Sequence, residues 1–172
     1  MDEVVLQTAK FQVKRLEYDV PGRGVVRREL VVHPGAVTIL PLLDPDTLVM
    51  IRNYRFSVGA ELLELPAGTL EPPEPPMACA ARELEEETGY RAAHFEPLCQ
   101  FYTTPGFTNE HMHVFVATGL TPAKQRLEAT EQIRVEIMPL ADALAATTDG
   151  RIIDGKTIAS LQVYHYRFGR KR

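Results

Sequence analysis

Five prolines, Pro66, Pro72, Pro73, Pro75 and Pro76, fall within eleven residues and run straight into a patterned segment that ends at Gly89. No helix interior and no central strand tolerates that density, because each proline lacks an N–H and has a fixed φ. Proline is accepted in the first turn of a helix. The spacing therefore predicts an irregular loop that delivers a helix starting near Pro76. Met77, Ala80, Ala81, Leu84 and Thr88 recur at helical intervals and predict a narrow buried stripe. Gly89 stands where a helix C-terminal glycine belongs. On the same helix Glu83, Glu86 and Glu87 lie at i, i+3 and i+4 and project from one face. Three neighbouring carboxylates raise one another's pKa unless a cation intervenes. Arg82 reaches Glu86 at i+4, but one guanidinium does not neutralise three carboxylates. Hard divalent cations such as Mg²⁺ and Mn²⁺ would. The plain alternative is a solvated acidic helix face.

The flanks decide between these readings. From Gly68 to Tyr90 the chain reads Gly68, five residues, Glu74, seven residues, then Arg82-Glu83-Leu84-Glu85-Glu86-Glu87-Thr88-Gly89-Tyr90. This resembles the Nudix box, G-x5-E-x7-R-E-U-x-E-E-x-G-U, where U is bulky and apolar. All nine defined positions are filled across 23 residues, with an aromatic residue at the last. The resemblance implies an α/β/α sandwich and hydrolysis of a nucleoside diphosphate linked to another group. It implies that Glu83, Glu86 and Glu87 hold divalent metal, Mg²⁺ or Mn²⁺ and more than one ion per site. Gly68 would permit a tight backbone, and Glu74 and Arg82 would orient loop and helix.

Neighbouring segments resemble the ADP-ribose pyrophosphatase branch of that family. Glu64-Leu65-Pro66-Ala67-Gly68 resembles its E-x-P-A-G element, in which the Ala67 carbonyl would join the metal. Asn53-Tyr54-Arg55 resembles its Q-Y-R element. Thr104-Pro105-Gly106-Phe107-Thr108-Asn109-Glu110 resembles its S-P-G-x-x-x-E loop, with Pro105 sixteen residues after Gly89 and threonine replacing serine. The resemblance implies a homodimer whose N-terminal strands, residues 1–35, reach the partner's site. Arg28 and Glu29 would contact substrate across that dimer, Arg55 would lie near the nucleotide, and Glu110 near the terminal ribose. Each also has a plain reading as a strand, ion-pair or loop-bracing residue. The late glutamates Glu128 and Glu131 are both candidates for the general base. Glu131-Gln132-Ile133 resembles an E-D-I step whose glutamate ligates metal, whereas Ala129 occupies the slot of the base. Tyr54, Phe56 and Phe107 are candidates for stacking on adenine.

Three functions follow: hydrolysis of ADP-ribose to AMP and ribose 5-phosphate, hydrolysis of another nucleotide sugar or a dinucleotide, or non-catalytic nucleotide sensing. The intact carboxylate set argues against sensing.

The remaining chain supplies the frame. Phe11–Val20 and Val25–His33 read as a hairpin around Pro21-Gly22-Arg23-Gly24, and Ala36–Leu43 and Thr47–Tyr54 as a second pair. Leu62–Pro66, Phe95–Tyr102, His111–Ala117 and Ile133–Met138 read as further strands. Leu140–Ala146 reads as a short helix. Asp154 caps a final one running to about Tyr166, with Ile158, Leu161 and either His165 or Tyr164 inward. The expected class is α+β, a Nudix-type α/β/α sandwich with a mixed sheet and N-terminal antiparallel strands, in one domain over 1–172. The 172 residues carry a net charge of -4, yet Glu61 to Glu87 alone carry -7, so the rest is +3. A mildly acidic chain is not expected to bind nucleic acid, and its Arg-Lys-Arg end at 170–172 reads as a solvated tail. No apolar run approaches the ~20 residues of a membrane span. Cys79 and Cys99 fit no metal or disulfide pattern and suggest core thiols in a reducing cytoplasm.

Overall fold

The computed structural model describes residues 2–169; the basic end at 170–172 lies outside them. In chain order the elements are β1 (Glu3–Gln7), β2 (Gln12–Val20), β3 (Gly24–Val32), β4 (Ala36–Asp44), β5 (Thr47–Arg55), β6 (Ala60–Glu64) and β7 (Ala67–Thr69). There follow α1 (Pro76–Thr88), β8 (Tyr90–Arg91), β9 (His94–Tyr102), β10 (His111–Thr118), β11 (Thr121–Pro122), β12 (Ile133–Pro139), α2 (Leu140–Asp149) and α3 (Gly155–Phe168). Strands β1, β2 and β3 form an antiparallel sheet of their own. The expected β2–β3 hairpin is present, and Gly22 and Gly24 take φ of 77° and 71° in its turn. Strand β1 is not expected from the sequence. All five of its residues are exposed, so no buried face imposes a pattern. Its strand character comes from pairing with β2 and from Arg15, which bridges Glu3 at 2.9 Å and Glu29 at 3.1 Å across three strands.

The second sheet runs β12-β5-β4-β10-β9, with β10 parallel to β4 and the other pairs antiparallel. Strands β4 and β5 pair only beside their turn, at Leu42 with Leu48 and Asp44 with Thr47. Beyond it they separate. The start of β4 then pairs with β7, and the end of β5 with β6. This wedge positions everything that follows.

Alternation along β4 divides the interior, because successive strand side chains point to opposite faces. Val37 and Ile39 pack with Cys79, Ala80 and Leu84 of α1 and with Phe115 and Ala117 of β10. Leu40 and Leu42 face the other way, toward Leu48, Met50, Ala143, Ala146 and Leu161, and so toward α2 and α3. Each fully buried aliphatic side chain contributes about 1.5–3 kcal/mol. The expected helix–sheet–helix layering is observed, as a mixed α+β fold.

In the helices one expectation is overturned and one open alternative is decided. In α1, Met77 and Ala81 are exposed, and the buried face is Cys79, Ala80, Glu83, Leu84, Glu87 and Thr88. The helix is rotated so that two glutamates enter the protein together with the apolar residues, because the wedge offers them a polar backbone edge. Gly89, with φ of 69°, ends α1 as expected, and its N–H donates to the Glu85 carbonyl at 2.9 Å. In α3, Asp154 caps by accepting from the Thr157 N–H at 3.0 Å. Tyr164, not His165, packs inward beside Ile158 and Leu161. Replacing the fully buried Leu161 by Ala is expected to cost about 2–5 kcal/mol through lost burial and the cavity left behind, read as a lowered urea midpoint with an unchanged m-value.

Candidate functional site

The segment from Glu64 to Thr69 lies in the wedge between β4 and β5. The Pro66 carbonyl accepts from the Ile39 N–H at 2.9 Å, which seats β7 against β4. Helix α1 then lies directly over this backbone. A Cβ on Gly68 would come within 1.9 Å of the Glu83 carboxyl carbon. Glycine is required here for space and not for a left-handed conformation, since Gly68 has no positive φ. One turn further along α1, Glu87 accepts from the Ala67 N–H at 2.9 Å.

Arg82 locks the loop to the helix. Its Nη2 meets Glu74 at 2.9 Å, and its Nη1 meets Glu83 at 2.8 Å and Glu86 at 3.1 Å. The pair joins the proline-rich loop, through Glu74, to α1, through Arg82. The guanidinium engages both Glu83 and Glu86, more than the single i+4 pair the spacing suggests, but its partners do not include Glu87. Burial pushes the Glu83 carboxyl up to about 7, against the opposing pull of Arg82. Burial pushes Glu87, only 3 % exposed, up to about 8, and the Ala67 N–H only partly offsets this.

The loop after β11 is tied to the C-terminal end of α1, where helix carbonyls lack intrahelical partners. Ala123 N–H donates to Gly89 O at 2.6 Å, Arg126 N–H to Glu86 O at 2.9 Å, and the Gln125 side-chain amide to Glu87 O at 2.7 Å. This docking delivers both late glutamates. Glu131 adds negative potential at both Glu83 and Glu87, and it accepts from the Glu128 N–H at 2.8 Å. Together with Tyr54, Arg55, Phe56, Ala67, Glu83, Glu86 and Glu87 they line a cleft of about 880 Å³. The sequence carries no signal for the Gln125 and Arg126 contacts, because they run to backbone atoms.

A second cavity, of about 620 Å³, shares Arg55, Ala67, Gly68 and Thr69 with the first and continues to Thr103, Thr104, Glu110 and Lys156. Glu110 accepts from Thr103 Oγ1 at 2.6 Å and lies 3.8 Å from His33 Nδ1. Arg55 is held by Glu64 in a two-pronged pair at 2.8 and 2.6 Å. Lys156 also reaches Glu64, at 2.5 Å, and Asp154, at 3.0 Å. Lys156 and the wall formed by Asp154 are absent from the sequence reading. Arg28 and Glu29 lie on β3 and line neither cavity, and Phe107 also lines neither. Glu29 is paired with Arg15.

Among the described residues, no three acidic, histidine or cysteine side chains are already gathered as a ligand cluster. Arg82 engages Glu83 and Glu86, and the Ala67 N–H engages Glu87. The donor chemistry nevertheless fits a hard divalent ion: the carboxylates of Glu83, Glu86, Glu87 and Glu131 and a backbone edge share one cleft, and burial disfavours the charge of Glu83 and Glu87.

A fold with this layering and a box helix laid across a splayed hairpin defines a class, and comparison with known proteins agrees. The NUDIX domain family matches residues 32–161. The chain belongs to the Nudix family, whose members generally use divalent metal. An ADP-ribose pyrophosphatase of Bacillus subtilis (strain 168) is 38% identical over 148 residues, 85% of this chain and 80% of the relative. A methanol dehydrogenase activator of Bacillus methanolicus is 37% identical over 158 residues, 91% of this chain and 84% of the relative. A crystal structure of an ADP compounds hydrolase superposes with a TM-score of 0.83 at 24% identity, covering 99% of this chain and 93% of that one. That likeness speaks to the fold.

Two predictions follow from the buried carboxyls. Folded Glu83 and Glu87 keep their protons up to about 7 and about 8, whereas the unfolded chain releases them near the ordinary 4.5. The folded state therefore binds more protons between those values, and metal-free stability falls as pH rises through that window. Thermal melts in EDTA are expected to drop across it. Mg²⁺ restores the loss, and Glu87→Gln melts higher than wild type at pH ~8.5, where the wild-type charge is uncompensated. Gly68→Ala is expected to fold, at a cost of about 1–3 kcal/mol, but to lose turnover, because the new methyl displaces the Glu83 carboxylate. Calorimetric melting and an activity assay check both halves.

Proposed function

We propose that this chain is a Nudix pyrophosphohydrolase that splits ADP-ribose into AMP and ribose 5-phosphate. The observation that carries this reading is the junction at Arg55: one cationic side chain stands on the wall common to the carboxylate cleft and the Thr103–Glu110–Lys156 cavity. A substrate with a pyrophosphate at its centre and a sugar on either side suits two cavities that meet at a cation. The B. subtilis relative's name and the sequence elements around Arg55, Ala67 and Glu110 support the same substrate.

Glu83, Glu86, Glu87, Glu131 and the Ala67 carbonyl are the oxygen donors that would hold Mg²⁺ or Mn²⁺, more than one ion per site. Bound ions would neutralise the pyrophosphate and acidify a water. Arg82 and Glu74 keep the donors of α1 in register with β7. Arg55 binds a phosphate, and Glu110 receives the terminal ribose through its carboxylate. Of the two late glutamates, Glu131 is the base, because its charge is felt at Glu83 and Glu87. Glu128 steadies it through a backbone N–H. The water oxygen bonds to one phosphorus, the bridging P–O bond breaks with its electron pair staying on the bridging oxygen of the departing phosphate monoester, and Glu131 takes the water's proton.

A second copy of the chain completes the assembly. Val4, Val5, Leu6 and Val25 of the β1–β3 sheet are exposed, Val25 at 66 %. Val4, Val5 and Leu6 lie together on the edge strand β1, with Val25 at the far end of β3, and exposed apolar side chains of this kind suit burial against a partner. In a homodimer Arg28 and Glu29 would serve the neighbour's cleft. Among the described residues no helix is long and apolar enough to cross a membrane, and the two free thiols, Cys79 and Cys99, suit the cytoplasm.

Product analysis by chromatography tests the reaction. With Mg²⁺, ADP-ribose is expected to give AMP and ribose 5-phosphate faster than ADP-sugars, GDP-mannose or dinucleotides are cleaved; preferential cleavage of GDP-mannose overturns the substrate assignment, and binding without turnover indicates a sensor. Glu131→Gln is expected to lower kcat by about 10²–10⁴-fold. Glu86→Gln loses most turnover while remaining folded, and wild-type rates in either variant defeat the mechanism. Light scattering is expected to show a dimer that Val5→Asp with Val25→Asp dissociates.

A further inference from the structure

Glu64 lines neither cavity but lies behind Arg55 and Lys156, which do; its side chain is 1 % exposed, and it carries two cations rather than one. Arg55 grips both of its oxygens, and Lys156 meets Oε2 at 2.5 Å. A two-pronged Arg–carboxylate pair is already a strong, geometrically complete interaction. The second cation is therefore not needed to satisfy Glu64 while Arg55 stays in place.

The two cations differ in freedom. Lys156 is 13 % exposed and is held on its far side by Asp154 at 3.0 Å. Asp154 is itself fixed as the α3 cap by Thr157 N–H and Oγ1, at 3.0 and 2.6 Å, and Thr157 Oγ1 accepts from Leu65 N–H at 2.9 Å. The ammonium is thus anchored to both the start of α3 and the chain leading into β7. Arg55 is 37 % exposed, lines both cavities, and feels the charge of Glu87 across the cleft. An arriving phosphate competes with Glu64 for that guanidinium. Stripping a buried carboxylate of its only cation is strongly unfavourable. Arg55 can serve a phosphate only if Glu64 retains another counter-ion.

We propose that Lys156 is a positioning residue: it is the resident counter-ion of Glu64 that frees Arg55 to engage a substrate phosphate. It acts through Glu64 and Arg55 and touches no reacting atom. The part played by the phosphate rests on the pyrophosphohydrolase reading above; the release of Arg55 does not.

The test reads Arg55 without substrate. Phenylglyoxal modifies the deprotonated guanidinium, so an arginine clamped by a carboxylate reacts slowly. Labelling of the Arg55 peptide is followed by mass spectrometry in metal-free buffer. Lys156→Gln is expected to slow labelling by about tenfold, the scale of one charge-assisted hydrogen bond. Glu64→Gln combined with Lys156→Gln restores it, and Lys156→Arg labels like wild type. Asp154→Asn keeps a capping side chain but releases Lys156 wholly to Glu64, so Arg55 labels faster; this variant carries the test if Lys156→Gln fails to fold. Unchanged or faster labelling in Lys156→Gln, no recovery in the double variant, or slower labelling in Asp154→Asn overturns the proposal. In turnover, Lys156→Gln raises KM with kcat nearly unchanged, and the double variant recovers KM; a fall in kcat alone overturns the route through Arg55. Failure of the wild type to cleave ADP-ribose would strike the substrate assignment and leave the labelling result decisive.

Discussion

The site is organised by two glutamates forced inward against a strand edge. Glu83 presses onto Gly68 so closely that no Cβ fits between them, and Glu87 is anchored to the Ala67 N–H. Both are buried, and both are pushed upward in pKa. Side chains of this kind are normally kept at the surface. Here the apolar packing of Cys79, Ala80 and Leu84 against β4 and β10 holds the helix down, and the charged face follows because it is part of the same rigid element. Core burial thus stabilises a locally unfavourable arrangement that a bound cation would relieve. The conflict between local stability and site chemistry is the usual mark of a functional locus.

The splayed β4–β5 hairpin makes that arrangement possible. A hairpin paired along its full length would leave no edge for β7 and no polar backbone under α1. Because the strands separate after Leu42 and Leu48, β4 takes β7 on one side and β5 takes β6 on the other. Glu64 ends β6 and Ala67 begins β7. Only Leu65 and Pro66 therefore separate Glu64, in the buried Arg55–Glu64–Lys156 network, from the β7 edge beneath α1, and charge balance in one is mechanically close to the other. The late loop closes the third side through hydrogen bonds to α1 carbonyls, so the helix that presents three carboxylates also places the fourth, Glu131.

Much of this was legible in the residues alone. Pro72 to Pro76 kept the chain irregular just before α1, although the short strand β7 forms earlier in the same proline-dense segment, and the spacing of Glu83, Glu86 and Glu87 put them on one helical face. The helix boundaries and the Asp154 cap follow from local chemistry that operates within a few residues. The buried stripe was less legible: Met77 and Ala81 have the right polarity and interval, yet the helix turned away from them. Periodicity reports which residues share a face, not which face meets the protein when a polar edge competes. Strand β1 was invisible because nothing in it is buried.

The sequence by itself determined the helix face that carries Glu83, Glu86 and Glu87, the loop that delivers it and the order of the main strands and helices, since these depend on covalent spacing and backbone preference. Only the tertiary structure decided that Gly68 is needed for space, that Gln125 and Arg126 dock the late loop, and that Lys156, ninety-two residues from Glu64, shares its carboxylate. Those contacts join segments distant in the chain, often through backbone atoms that every residue possesses. Their energies come from burial and charge compensation, which exist only after the layers have closed.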